Sequence, residues 1–121
     1  MFTILDETAI LRYLLADNAH QANTVARVMA TGNAYTYPEI IARVAVVLRD
    51  VYRVPRSVIG EAITRLLDEI SVGEEDIVRL AVRYFGTTLL DFTDCMLMAR
   101  NTLRGYSVLS FDKALMKKML P

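Results

Sequence analysis

The sequence has few of the residues that cross-link a chain or bind soft metals. Cys95 is the only cysteine and His20 the only histidine among 121 residues. One of each excludes an internal disulfide and leaves no zinc site or catalytic cysteine–histidine pair. The scarcity of cysteine favours a cytoplasmic location. The apolar neighbours Met96 and Met98 predict that Cys95 is a packed, inert thiol.

An excess of charge of one sign and long apolar runs are also missing. Fourteen basic and 14 acidic side chains give a formal net charge of zero, whereas a nucleic-acid binder more often has a net basic surface. Apolar runs such as Val44–Leu48 are too short to cross a membrane. The N-terminus lacks the pattern of a signal peptide. The length predicts a single domain over residues 1–121.

The apolar pattern predicts short strands that alternate with helices. The predicted strands are Phe2–Leu5, Ala34–Tyr37, Thr87–Asp91 and Tyr106–Phe111. Helical periodicity fills the stretches between them, with helices that begin at Pro38 and Pro55 after the second strand. Strands separated by helices pair in parallel with right-handed crossovers. We therefore expect an α/β fold, a three-layer α/β/α sandwich with a central parallel sheet of about four strands.

Three aspartates follow three of the predicted strands. Asp6 follows the first strand, Asp94 lies just past the third, and Asp112 follows the fourth. Carboxyl ends of parallel strands meet at one edge of a sheet, and carboxylates that meet there repel one another unless they share a cation. The pattern predicts a Mg²⁺ or Mn²⁺ site for phosphodiester chemistry. Each aspartate also has a purely structural explanation, as a turn residue, a favourable charge at a helix N-terminus, or a cap.

The segments that carry these acids resemble the PIN-domain family. The matching segments, in the order and spacing of that family, are Phe2–Asp6, Leu48–Tyr52, Leu89–Asp94 and Ser110–Lys113. The resemblance covers essentially the whole chain. Many members of the family are metal-dependent endoribonucleases, including toxins of prokaryotic toxin–antitoxin pairs. The resemblance implies a PIN-like fold, RNA as substrate, an antitoxin protein as partner, and Asp6, Asp94 and Asp112 as the catalytic and metal-binding acids.

The fourth acid that the resemblance implies is missing. Arg43 stands where the family usually has a glutamate. A guanidinium cannot bind a cation and always stays charged. We therefore expect Arg43 to pair with Asp6 or Asp94 and to weaken or abolish metal binding. Three other acids are candidates to replace the missing ligand: Glu39, Glu7 and Asp91.

The sequence leaves three functions open. The first is a Mg²⁺- or Mn²⁺-dependent endoribonuclease of toxin type. The second is a catalytically inactive PIN-like module that binds RNA or protein. The third is a dimerising domain whose acids only cap helices. The helices that begin at Pro38 and Pro55 carry more apolar surface than one core face needs, which predicts a two-fold homodimer.

Overall fold

The computed structural model of the protein describes residues 1–119. Within this range the fold is mostly helical, with seven helices and one small sheet of three strands. The elements follow in this order: β1 (Thr3–Ile4), α1 (Glu7–Leu15), α2 (Ala19–Ala30), β2 (Ala34–Thr36), α3 (Pro38–Asp50), α4 (Arg56–Leu66), β3 (Ser71–Val72), α5 (Glu75–Thr87), α6 (Phe92–Arg104) and α7 (Lys113–Met116). None of these helices is long and apolar enough to span a bilayer.

The sheet is parallel, in the order β1–β2–β3. Each connection between neighbouring strands contains two helices, as parallel pairing requires a crossover. Thr36 is buried at the end of β2, and its hydroxyl donates to the Leu5 carbonyl at 3.0 Å. This bond ties Leu5, the residue directly before Asp6, to β2. The sheet therefore positions the start of α1.

Among the helices, α5 packs against both α4 and α6. The backbones of α4 and α5 approach closely at Gly60 and Gly86, where a Cβ on Gly60 would lie 3.3 Å from the Gly86 Cα. The rings of Phe85 and Phe92 pack 5.6 Å apart between α5 and α6. These buried contacts hold the N-terminus of α6, which carries Asp94, in a defined place beside α3 and α5.

The expected three-layer sandwich with about four strands is wrong. The first two predicted strands are confirmed as β1 and β2, but Thr87–Asp91 forms no strand. There α5 continues through Thr87, and the Thr88 hydroxyl donates to the Tyr84 carbonyl at 2.8 Å. The sheet takes its third strand from Ser71–Val72, which lies in a stretch where the apolar pattern predicted no strand.

The predicted fourth strand, Tyr106–Phe111, is also absent. The Tyr106 carbonyl accepts a hydrogen bond from the Asn101 side chain at 2.9 Å. At the other end, the Asp112 amide donates to the Ser110 hydroxyl at 3.0 Å. Side chains therefore satisfy backbone groups at both ends of this segment, and Leu109 and Phe111 remain exposed.

Candidate functional site

Helix N-termini position all three predicted acids, and of the three only Asp6 also follows a strand, β1. Asp6 is the N-cap of α1 and Asp112 is the N-cap of α7. Asp94 lies in the first turn of α6, whose N-cap is Asp91. Aspartate is among the strongest N-cap residues and acidic groups are stabilised near helix N-termini, so local sequence favours each of these positions.

Asp6 and Asp112 each use only one carboxylate oxygen to cap their helices. The Asp6 Oδ1 atom accepts from the Ala9 amide at 3.0 Å and from the Thr8 hydroxyl at 2.7 Å. These hydrogen bonds lower the pKa of Asp6. The Asp112 Oδ1 atom accepts from the Leu115 amide at 3.1 Å. Within residues 1–119 neither Oδ2 atom accepts a hydrogen bond, so the structural and the ligand-binding roles are compatible.

Asp94 differs because it has no compensating partner. Over the part of the chain that the structure describes, its partly buried carboxylate makes no hydrogen bond or ion pair. Burial raises the pKa of Asp94, and the negative charges of Asp112 and Asp91 raise it further. The charge of Asp112 therefore acts on Asp94, whereas Asp6 is not among the charges that shift the pKa of Asp94.

A groove of about 590 Å³ is lined by sequence neighbours of two of these acids, Glu7 after Asp6 and Thr93 before Asp94, but by none of the three acids themselves. We call it the α1–α3–α6 groove, and its walls include Glu7, Arg43, Val46, Val47, Arg49 and Asp91. Two ion pairs link its walls. The Arg43 Nε atom lies 3.0 Å from the Glu7 Oε1 atom, and the Arg49 Nη1 atom lies 3.5 Å from the Asp91 Oδ1 atom. Two arginines of α3 are thus paired across the groove, one with an acid in the first turn of α1 and one with the N-cap residue of α6.

Arg43 pairs with Glu7 and not with Asp6 or Asp94, so the expected partner was wrong. Glu7 begins α1 and faces α3, which places its carboxylate within reach of the Arg43 guanidinium. This contact joins residues 36 positions apart by number, so only the packing of α1 against α3 determines it. As a consequence, Arg43 does not neutralise Asp94.

The candidate replacement acids do not supply the missing ligand. Glu7 and Asp91 are paired with arginines, and Glu39 is exposed outside the lining of the groove. Sequence reasoning missed the pair between Arg49 and Asp91. Asp91 directly precedes the periodic residues of α6, which indicates the N-cap position. Its ion-pair partner, Arg49, could not be found from local sequence.

The donor set has limited capacity for a metal ion. Within residues 1–119, no three histidine, cysteine, aspartate or glutamate side chains form a group that could hold a metal. The negative charge of Asp112 nevertheless acts on Asp94 and raises its pKa. Mg²⁺ keeps several waters and binds through one or two carboxylates together with substrate phosphates, so two aspartates are a sufficient number of protein ligands for such an ion.

The single cysteine lies near this site and is not part of its chemistry. Cys95 is buried next to Asp94, and burial raises its pKa to about 11. The thiol is therefore protonated at neutral pH, and a protonated thiol is a poor nucleophile. The predicted packing of Cys95 is confirmed.

Asp94, Asp112 and the α1–α3–α6 groove thus form the candidate site. Comparisons of the chain with family models, with curated proteins and with solved structures return no match.

Proposed function

We propose that the protein is a ribonuclease that depends on Mg²⁺ or Mn²⁺, as the resemblance to the PIN-domain family implies. The observation that carries this proposal is the partly buried carboxylate of Asp94, which makes no hydrogen bond or ion pair within residues 1–119 and whose pKa the charge of Asp112 raises further. The charged form of such a carboxylate is unfavourable unless a cation binds or a proton is taken up. Arg43 and Arg49 do not neutralise Asp94, because they bind Glu7 and Asp91.

The residues of the site have separate roles in this proposal. Asp94 and Asp112 hold the divalent ion, and Asp6 is the third acid that the resemblance implies. When bound, the ion supplies charge neutralisation at the phosphate and lowers the pKa of water. The hydrogen bond from the Ala9 amide lowers the pKa of Asp6 and so favours its ionised form. The α1–α3–α6 groove accommodates the RNA chain.

The test is a Mn²⁺ titration by calorimetry together with a cleavage assay on single-stranded RNA. Asp94→Asn removes the charge and preserves the shape, so we expect Mn²⁺ affinity to fall at least about tenfold, equivalent to about 1.4 kcal/mol. RNA cleavage should be lost in the same variant. Asp68→Asn is the matched control, because Asp68 is exposed and does not line the groove. Equal Mn²⁺ affinity and equal cleavage in all three proteins would refute the proposal.

A second candidate is the catalytically inactive module that binds RNA or protein. The observation that favours it is Arg43 on the wall of the groove, at the position where the family resemblance implies an acid. Binding of RNA without any Mn²⁺-dependent cleavage by the natural protein would select this candidate.

The remaining proposals concern partners and location. RNA is the proposed substrate or ligand, an antitoxin is a proposed protein partner, and the cytoplasm is the proposed location. A homodimer is proposed through the junction of α3 and α4, where Val51, Tyr52 and Val58 are exposed. Apolar side chains grouped on a surface favour association.

A further inference from the structure

The strand β1 lies at an edge of the sheet, and its outward backbone groups have no partner. Within residues 1–119, β1 pairs with β2 alone. The Thr3 amide donates to the Asn33 carbonyl at 2.9 Å, and the Leu5 amide donates to the Tyr35 carbonyl at 2.8 Å. Because successive residues of a strand direct their backbone groups to opposite sides, Ile4 directs its amide and its carbonyl away from β2. No hydrogen bond within residues 1–119 satisfies either group.

The side chains on one face of this edge are apolar and exposed. Side chains alternate between the two faces of a strand, so Phe2 and Ile4 share a face, and they are 62% and 57% exposed. The register places Tyr35 beside Ile4, and the ring of Tyr35 lies 5.7 Å from the Phe2 ring. Parallel sheets are normally covered on both faces, and an open apolar edge is a template for another strand. The edge is therefore suited to association.

A second copy of the chain fits this edge because the unpaired groups of Ile4 are self-complementary in charge. The amide hydrogen carries a partial positive charge and the carbonyl oxygen a partial negative charge. In an antiparallel pair, two residues that lie directly opposite each other exchange both of their N–H···O bonds. A two-fold axis through such a pair relates Ile4 of one copy to Ile4 of the other, so each amide meets the other copy's carbonyl. This axis, perpendicular to the sheet, also keeps Phe2 of both copies on the same face.

We infer that two copies of the chain pair through β1, antiparallel about a two-fold axis at Ile4, and so form one continuous sheet from the two three-stranded sheets. This interface uses different residues from the one proposed at the junction of α3 and α4, and it does not depend on the ribonuclease function. A strand as short as β1 contributes few hydrogen bonds, so we expect this pairing at higher protein concentration than association through helices. The test is therefore made in the Val58→Asp variant, in which the helix interface is weakened.

Amide hydrogen exchange, followed by NMR over a range of protein concentrations, tests the pairing. At low concentration the Ile4 amide should exchange rapidly, whereas the amides of Thr3 and Leu5 are protected by their bonds to β2. Pairing should slow exchange at Ile4, because only the unpaired molecules then exchange. Where sedimentation shows about nine-tenths of the molecules to be paired, exchange at Ile4 should be about tenfold slower.

Two variants separate the backbone contact from the side chain. Ile4→Pro removes the outward amide and leaves the bonds of Thr3 and Leu5 to β2, since proline is tolerated where an edge amide faces solvent. Association by sedimentation should be lost in Ile4→Pro with an unchanged circular dichroism spectrum. Ile4→Val is the matched control, because it keeps the amide and a β-branched apolar side chain, and it should associate like its parent. If Ile4→Pro does not fold, the exchange experiment on the parent decides.

Several outcomes would overturn this pairing. Rapid exchange at Ile4 in a sample that sedimentation shows to be paired would place the contact elsewhere. Slow exchange that does not depend on concentration would mean that another segment of the same chain covers the edge. Equal association of Ile4→Pro and Ile4→Val, or a monomer at every concentration, would also refute it. None of these measurements involves RNA or metal, so failure of the pairing leaves the proposed ribonuclease untouched.

Discussion

Arg56 links the stability of the protein to the placement of Asp94. Its Nε atom donates to the Phe85 carbonyl at 2.8 Å, and its Nη2 atom donates to the Leu90 carbonyl. Its guanidinium carbon lies 4.0 Å from the centroid of the Phe85 ring. One side chain at the start of α4 therefore binds the end of α5 and the connection that leads to α6. Burial lowers the pKa of Arg56 from its usual value.

Replacement of Arg56 should cost several of these contacts at once. Each hydrogen bond from a charged donor contributes about 1.5–3 kcal/mol, and a cation over an aromatic ring contributes about 0.5–1 kcal/mol. The cost of partly burying the guanidinium offsets some of this gain. We therefore expect Arg56→Ala to lower the free energy of unfolding by about 3 kcal/mol and the Tm by about 10 °C. Arg56→Lys should cost about half as much, because an ammonium has no planar fork to reach both carbonyls.

Urea unfolding at pH 7, followed by circular dichroism, measures this effect. The midpoint should move while the m-value stays constant, since the folded surface is the same. Arg83→Ala is the matched control on α5, because the side chain of Arg83 is exposed, and the expected change is within about 0.5 kcal/mol. Arg56→Ala should also weaken Mn²⁺ binding, whereas Arg83→Ala should not. A loss below about 0.5 kcal/mol in Arg56→Ala would refute the proposed linkage.

Two further predictions concern the acid pair and self-association. Because the pKa of Asp94 is raised, the folded state binds a proton at this carboxylate more tightly than the unfolded state does. Protonated Asp94 therefore stabilises the fold at pH values below the ordinary pKa of 3.8. This stabilisation is lost as the pH rises through the pKa of the folded state. Asp94→Asn without metal should therefore be more stable than the natural protein at pH 7, and the difference should disappear near pH 3. A less stable variant at pH 7 would contradict the assigned repulsion. For the homodimer, sedimentation should show a concentration-dependent dimer, and Val58→Asp should weaken it. Thr24→Asp is the control, because Thr24 is exposed. Val28→Asp would not serve as a control, because Val28 packs on the core. A monomer at every concentration would contradict self-association.

Local sequence predicted most helices and the capping role of Asp112, whereas Asp6 was given a turn as its structural alternative. A cap depends on residues within one turn, as in the bonds of Asp6 to Ala9 and of Asp112 to Leu115. Helical periodicity similarly depends on neighbours three or four positions away. These features could be read before any tertiary contact was known, and the structure confirms the main helices from α2 to α6.

Strand pairing and charge pairing were decided by the tertiary structure. Thr87–Asp91 has the composition of a strand, but Arg56 from α4 binds the Leu90 carbonyl, while Ser71–Val72 lies where β2 offers a partner. The partner of Arg43 and the effect of the Asp112 charge on Asp94 likewise depend on how the helices pack. The sequence by itself determined which residues are acidic, capped or helical. Only the fold determined which of them meet, because contacts between distant positions depend on the packing of whole elements.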